Sequence, residues 1–194
     1  VVAVDPEDLE AELRPLAARL ARRSVGVVLA GGGARAMTHI GLLAELEEAG
    51  VPVDRVAGSS LGSIVAALWA SGMTAAEIHE VCYSEFLRGN PFGDYTLPLV
   101  SLSKGKRAEG LLRHWLGDTW VEEMPRLFRA SSTDLQSRSA VDLRTGPVAD
   151  AVMASIAVPV LFPPRRHERA LLADGEILDK LPVRLLTERD EGPV

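Results

Sequence analysis

The chain has 194 residues, 47% hydrophobic and 25% charged, which suits one globular domain with a substantial core and argues against a disordered or fibrous protein. Its 21 Lys+Arg against 27 Asp+Glu give a formal net charge of −6, so there is no global basic footprint for nucleic acid. No apolar run approaches the ~20 residues of a membrane-spanning helix and no basic-then-apolar leader opens the chain, which leaves peripheral contact as the form a membrane association would take.

Val1-Val2-Ala3-Val4 reads as the tail of a strand, and Glu191-Gly192-Pro193-Val194 stops where an apolar segment could begin, so the sequence reads as part of a longer protein. Asp5-Pro6-Glu7-Asp8 is a helix start, with a capping aspartate and proline at the first helical position. Leu9, Leu13, Leu16 and Leu20 continue the helix, and Pro15 predicts a kink or a division into two short ones. Val25 to Ala30 is a continuous, β-branched apolar run, as expected of a strand buried on both faces of a parallel sheet. It runs into Gly31-Gly32-Gly33-Ala34-Arg35-Ala36. Thr38 to Ala49 predicts a helix that Gly50 ends, and Val53 to Ala57 a second strand.

That strand meets a Gly-x-Ser-x-Gly turn at Gly58-Ser59-Ser60-Leu61-Gly62. Such a turn is a nucleophile elbow, a strained strand-to-helix reversal that projects the serine and needs small residues on either side. Leu61, Ile64, Val65, Leu68 and Trp69 then mark one face of a helix packed on the sheet. The order strand, glycine loop, helix, strand, elbow, helix implies parallel strands with right-handed crossovers.

Thr74-Ala75-Ala76-Glu77 is a capping box opening a helix through Leu87. Cys82 lies on its apolar side; a single cysteine cannot form an internal disulfide, which fits a reducing, cytoplasmic setting. Residues 90–105 are loop-like. Lys104, Lys106 and Arg107 then precede a helix carrying Leu111, Leu112, Trp115 and Leu116; the cluster reads as a solvated face, with attraction to anionic lipid head groups as its functional alternative. Leu127–Ser131 and Ala140–Leu143 are strands joined by a polar turn, and Pro147 opens a helix that ends before Pro159. Arg169 to Ala173 is a strand ending in Asp174-Gly175, where the aspartate would project from the sheet edge that carries Ser60.

Three of these pieces together resemble the patatin-like phospholipases: Gly31-Gly32-Gly33-Ala34-Arg35 their oxyanion loop, Gly58-Ser59-Ser60-Leu61-Gly62 their elbow, and Asp174-Gly175 the start of their Asp-Gly-Gly or Asp-Gly-Ala motif. Asp94 to Leu102 and Ala157 to Pro164 are most similar to the branch around neuropathy target esterase and its bacterial relatives. The resemblance runs from about Val25 to Leu186. It implies a three-layer α/β/α fold with a mainly parallel central sheet and a hydrolase domain over 25–194, preceded by the helical lead-in read over residues 1–24. It also implies a serine hydrolase of phospholipid or lysophospholipid acyl esters, with no metal, cofactor or nucleic acid, cytoplasmic or peripheral to a membrane. Ser60 would be the nucleophile and Asp174 its base, with the N–H groups of Gly31, Gly32 and Gly33 holding the oxyanion. Arg35, Gly58, Gly62 and Gly175 would support the site. Two positions depart from the pattern: Ala36 stands where the family usually has glycine, and Glu176 where it has glycine or alanine, placing a carboxylate near the base.

Other readings compete. Gly31-x-Gly33-x-x-Ala36 with Asp54 downstream matches a dinucleotide fingerprint, but Asp54 begins its strand, whereas a ribose-binding acid belongs at the strand's end. A Ser-Asp-His triad needs a histidine after the aspartate, and none of the four histidines follows Asp174. A silent lipid-binding or scaffold domain of the same fold remains the alternative from a different class.

Overall fold

The computed structural model describes residues 9–97, 100–167 and 169–194; the expected strand tail at 1–4 and the helix start at 5–8 lie outside them. Helix α1, Leu9–Leu20, runs through Pro15 as one helix and not as two short ones: a surface helix can leave the carbonyl that proline deprives of a donor to water. Strand β1 (Val25–Leu29) leads through a 3-10 helix, Gly33–Thr38, into α2 (His39–Glu48). Strand β2 (Val53–Ser59) turns directly into α3 (Leu61–Ala70). After α4 (Ala75–Cys82), which Thr74 and Glu77 cap reciprocally, the chain continues as a π-helical turn, Tyr83–Arg88. Then come α5 (Lys106–Leu116), β3 (Leu127–Asp134), β4 (Ser139–Leu143), α6 (Val148–Ser155), β5 (Arg165–His167), β6 (Ala170–Asp174) and α7 (Arg184–Thr187).

The result is an α/β fold around a mixed sheet flanked by helices. Strands β1, β2 and β3 run parallel to one another, as the βαβα order predicts, while β4, β5 and β6 join antiparallel. Two strands share one edge of β3. Its first part pairs β2, Ser59 standing opposite Ser131; its last part pairs β6, Asp174 standing opposite Ser132; β4 occupies the other edge. β2 and β6 therefore approach each other end to end along one line, and their facing ends carry Ser60 and Asp174.

Helix α3 is buried from Gly62 to Ala70 on every side, not on one face only. Its sequence is apolar all round, and it packs against α2, α4 and α6 as well as against β2 and β3. On the opposite face Leu185 and Leu186 of α7 pack on Ala57, Val28 and Leu127. β1 is an edge strand and half-buried rather than enclosed. Its outer edge is taken by the C-terminal segment: Ser24 N–H donates to Glu191 O at 3.1 Å and Gly26 N–H to Pro193 O at 2.8 Å. Arg55, opposite Gly26 in the register, holds that segment. The buried guanidinium donates to Ser24 Oγ (2.7 Å) and to the carbonyls of Leu186 (2.7 Å), Ser24 (2.9 Å), Gly192 (3.0 Å) and Pro193 (3.1 Å).

Candidate active site

Ser60 sits between β2 and α3 with φ 49° and ψ −134°, a backbone conformation that costs about 1–3 kcal/mol and persists only where the surroundings enforce it. Close packing enforces it here. A Cβ on Gly62 would lie 2.5 Å from the carbonyl oxygens of Leu29 and Ala30, and one on Gly58 would lie 2.6 Å from Ser63 Cα. Both flanking glycines are thus required by β1 and by the first turn of α3. Ser63 reinforces the turn, its N–H and Oγ–H both donating to the Ser60 carbonyl at 2.8 and 2.7 Å.

Ser60 Oγ–H donates to Asp174 Oδ2 at 2.7 Å, with the two residues only 3% and 2% exposed. The other carboxylate oxygen, Oδ1, accepts from Glu176 N–H at 2.7 Å, and Asp174 N–H donates to Ala157 O at 2.9 Å. Burial pushes the Asp174 carboxyl above its ordinary range; the hydrogen bonds from Ser60 and the Glu176 amide pull it back, and the Glu176 charge pushes it up further. Ser155, at the end of α6, accepts the Ser60 N–H at 3.1 Å. No sequence pattern singled that serine out.

The glycine loop lies against Ser60. A Cβ on Gly31 would be 3.2 Å from Ser60 Cβ and 2.9 Å from Glu176 Oε2, so the loop, the serine and the unexpected glutamate meet at one point. The Gly31 N–H donates to Lys180 O at 2.9 Å and is thereby committed to the protein itself. Gly32 and Gly33 turn the chain into the 3-10 helix. Arg35 is exposed and contributes through its main chain, N–H to Gly32 O at 3.3 Å and C=O from Thr38 Oγ1 at 2.8 Å. Ala36, the other departure, buries its methyl at 2% exposure. His39 Nε2 lies 3.0 Å from Ala30 O; a carbonyl only accepts, so this nitrogen carries the proton and ties down the loop's entry. Gly175 packs against the Ser131 carbonyl and Ser59 Oγ. Glu176 is held by Lys180, Oε1 to Nζ at 2.9 Å.

Ser60 opens into a cavity of about 730 Å³ whose walls are mainly apolar, including Met37, Ile40, Phe86, Phe92 and Phe162; Glu176 stands at its side. Phe92 bridges the other two phenylalanines, with ring centroids 5.8 Å from Phe86 and 5.4 Å from Phe162. Cys82 also borders the cavity, and burial pushes its thiol up to about 11, which leaves it an inert hydrophobe. Asp54, the acid of the dinucleotide reading, is at the start of β2 and paired to Arg14 at 2.9 Å, at the far end of the strand from the elbow.

The patatin-like phospholipase family model matches residues 27–187. An uncharacterized NTE family protein of Mycobacterium bovis is 42% identical over 180 residues, covering 92% of this chain and 31% of the relative, and one of Mycobacterium tuberculosis matches equally. The lysophospholipase nte1 of Aspergillus fumigatus is 34% identical over 172 residues, 87% of this chain and 11% of that protein. The chain thus spans about a third, or less, of the length of these relatives. Among solved structures, VipD from Legionella pneumophila superposes with a TM-score of 0.58 at 18% identity, over 87% of this chain and 49% of VipD; that likeness concerns the fold.

Proposed function

Since the chain belongs to the patatin-like phospholipase family, we propose that it hydrolyses the carboxylic ester of a phospholipid or lysophospholipid, with Ser60 and Asp174 as a catalytic dyad. The observation that carries this reading is the buried 2.7 Å hydrogen bond from Ser60 Oγ to Asp174 Oδ2 beside a largely apolar cavity. Ser60 Oγ attacks the ester carbonyl while its proton passes to Asp174 Oδ2, a carboxylate that burial makes a stronger base than a free one. The tetrahedral oxyanion is received by the N–H groups of Gly32 and Gly33, with Gly31 shaping the loop through Lys180. Collapse expels the alcohol, which takes the proton from Asp174, and a water molecule repeats the sequence on the acyl-serine to release the fatty acid. The cavity wall takes the acyl chain.

The test is product analysis on a panel of phospholipids and lysophospholipids with the parent chain, Ser60→Ala and Asp174→Asn. Each variant is expected to lose about 10³ to 10⁶ in rate while keeping its circular dichroism. Hydrolysis by Ser60→Ala at the parent rate refutes the assignment. One observation favours a second reading, a silent lipid-binding domain: the Glu176 carboxylate beside Gly31, where an oxyanion would form. Labelling of Ser60 by a fluorophosphonate probe separates the two, since only an activated serine reacts.

A further inference from the structure

Next to the cavity mouth the chain exposes apolar side chains that the site does not use. Residues 95–97 and 100–103 belong to a finger closed by an antiparallel bridge between Tyr95 and Ser103 and by Thr96 N–H donating to Leu102 O at 2.9 Å. The finger is fastened to the loop after α6: Leu102 N–H donates to Val160 O at 2.8 Å and Ser103 N–H to Leu161 O at 2.9 Å. At its base Asp94 accepts from Ser103 Oγ and from the Lys106 amide. This fastening turns apolar residues outward, with Tyr95 71%, Leu97 79%, Val100 70% and Val160 69% exposed. Val160 has φ 74°; a β-branched residue in that region is strained, so an apolar side chain is kept in water at the expense of backbone energy.

Two further observations say what covers this collar. Val158 and Leu161, on either side of Val160, line the cavity itself, so the collar adjoins the cavity wall. Lys104, Lys106 and Arg107 follow the finger directly and are exposed, and none forms an ion pair among the described residues. An apolar rim flanked by unpaired cations is complementary to a bilayer of anionic lipid. Resting on the reading that Ser60 takes a lipid ester, we propose that this collar docks the protein on an anionic lipid bilayer, so that an acyl chain enters the cavity from the lipid without crossing water.

The test reads partitioning apart from turnover. Ser60→Ala protein is floated with vesicles of phosphatidylcholine alone and with about one third phosphatidylglycerol. The expected result is at least tenfold stronger partitioning onto the anionic vesicles, lost in high salt. Leu97→Asp/Val160→Asp and, independently, Lys104→Gln/Lys106→Gln are each expected to weaken it tenfold or more. In chains that keep Ser60, both double variants should hydrolyse a soluble short-chain ester at the parent rate, which also reports their folding; should one misfold, the other decides. Equal partitioning onto both vesicles, or unaltered partitioning by a folded double variant, overturns the proposal. So does a dimer in sedimentation that Leu97→Asp/Val160→Asp dissociates while partitioning is unchanged, since the collar is then a self-association face. A chain inactive on every ester that still partitions as expected refutes only the hydrolase reading.

Discussion

Glu176 offers the sharpest test of how charge is arranged around the proposed dyad. Two unit charges on the order of 6 Å apart at an effective dielectric of about 20 interact by ~3 kcal/mol. Glu176 is about one-third exposed and bonded to the opposite charge of Lys180 at 2.9 Å, which reduces its net effect on Asp174 to a fraction of that. Asp174 must be ionised to accept the serine proton, and the Glu176 charge raises its pKa. Glu176→Gln therefore lowers that pKa, keeps the base ionised to lower pH, and moves the acid limb of the kcat/KM profile to lower pH. It also removes a carboxylate from beside the oxyanion, so kcat should rise by roughly two- to fivefold. Lys180→Met leaves Glu176 uncompensated and shifts both quantities the other way. The assay is steady-state hydrolysis of a soluble p-nitrophenyl ester from about pH 4 to 9. If Glu176→Gln leaves the limb in place, or if the two variants move it in the same direction, the glutamate does not act on Asp174 through its charge.

Arg55→Met should cost about 3–5 kcal/mol, because four carbonyls and a hydroxyl lose their buried donor. For a chain of this length that is a fall in Tm on the order of 10 °C, read by thermal melts; a change within about 1 kcal/mol contradicts the role given to the guanidinium. His39→Gln, whose side-chain amide can still donate to Ala30 O, should lose less than the roughly 10²- to 10³-fold typical of deleting an oxyanion donor. His79→Ala, His114→Ala and His167→Ala should keep kcat within about tenfold, with any change at His79 falling on KM, since it borders the cavity. A folded histidine variant as inactive as Ser60→Ala means that a Ser-His mechanism operates.

Ser60 and Asp174 were readable because each stands in a short motif whose backbone geometry is dictated locally, by glycines that must be small and by a strand end that must turn. Their meeting was not readable in the same way. The sequence suggests two strand ends on one edge of a parallel sheet, whereas β6 arrives antiparallel and faces β2 along β3; strand direction depends on pairings that no local pattern encodes. The same limit applies to Gly31, whose amide is occupied by a carbonyl far along the sequence, at Lys180. Arg55 looks like a polar interruption in an apolar strand until the carbonyls gathered around it are visible. The helix after the elbow was recognisable, but its complete burial depends on neighbours that only the packing reveals.

The guanidinium of Arg55 also bears on how the protein avoids its own copies. An uncovered edge strand is a template onto which another chain can add, and proteins blunt such edges with charge, proline or a covering segment. Here β1 is covered by residues 191–193, which occupy the Ser24 and Gly26 amides. That cover is fastened from the neighbouring strand, where Arg55 stands opposite Gly26 and donates to the carbonyls of Gly192 and Pro193. Protection of this edge is thus fastened inside the sheet, by one buried cation that holds the covering segment in place.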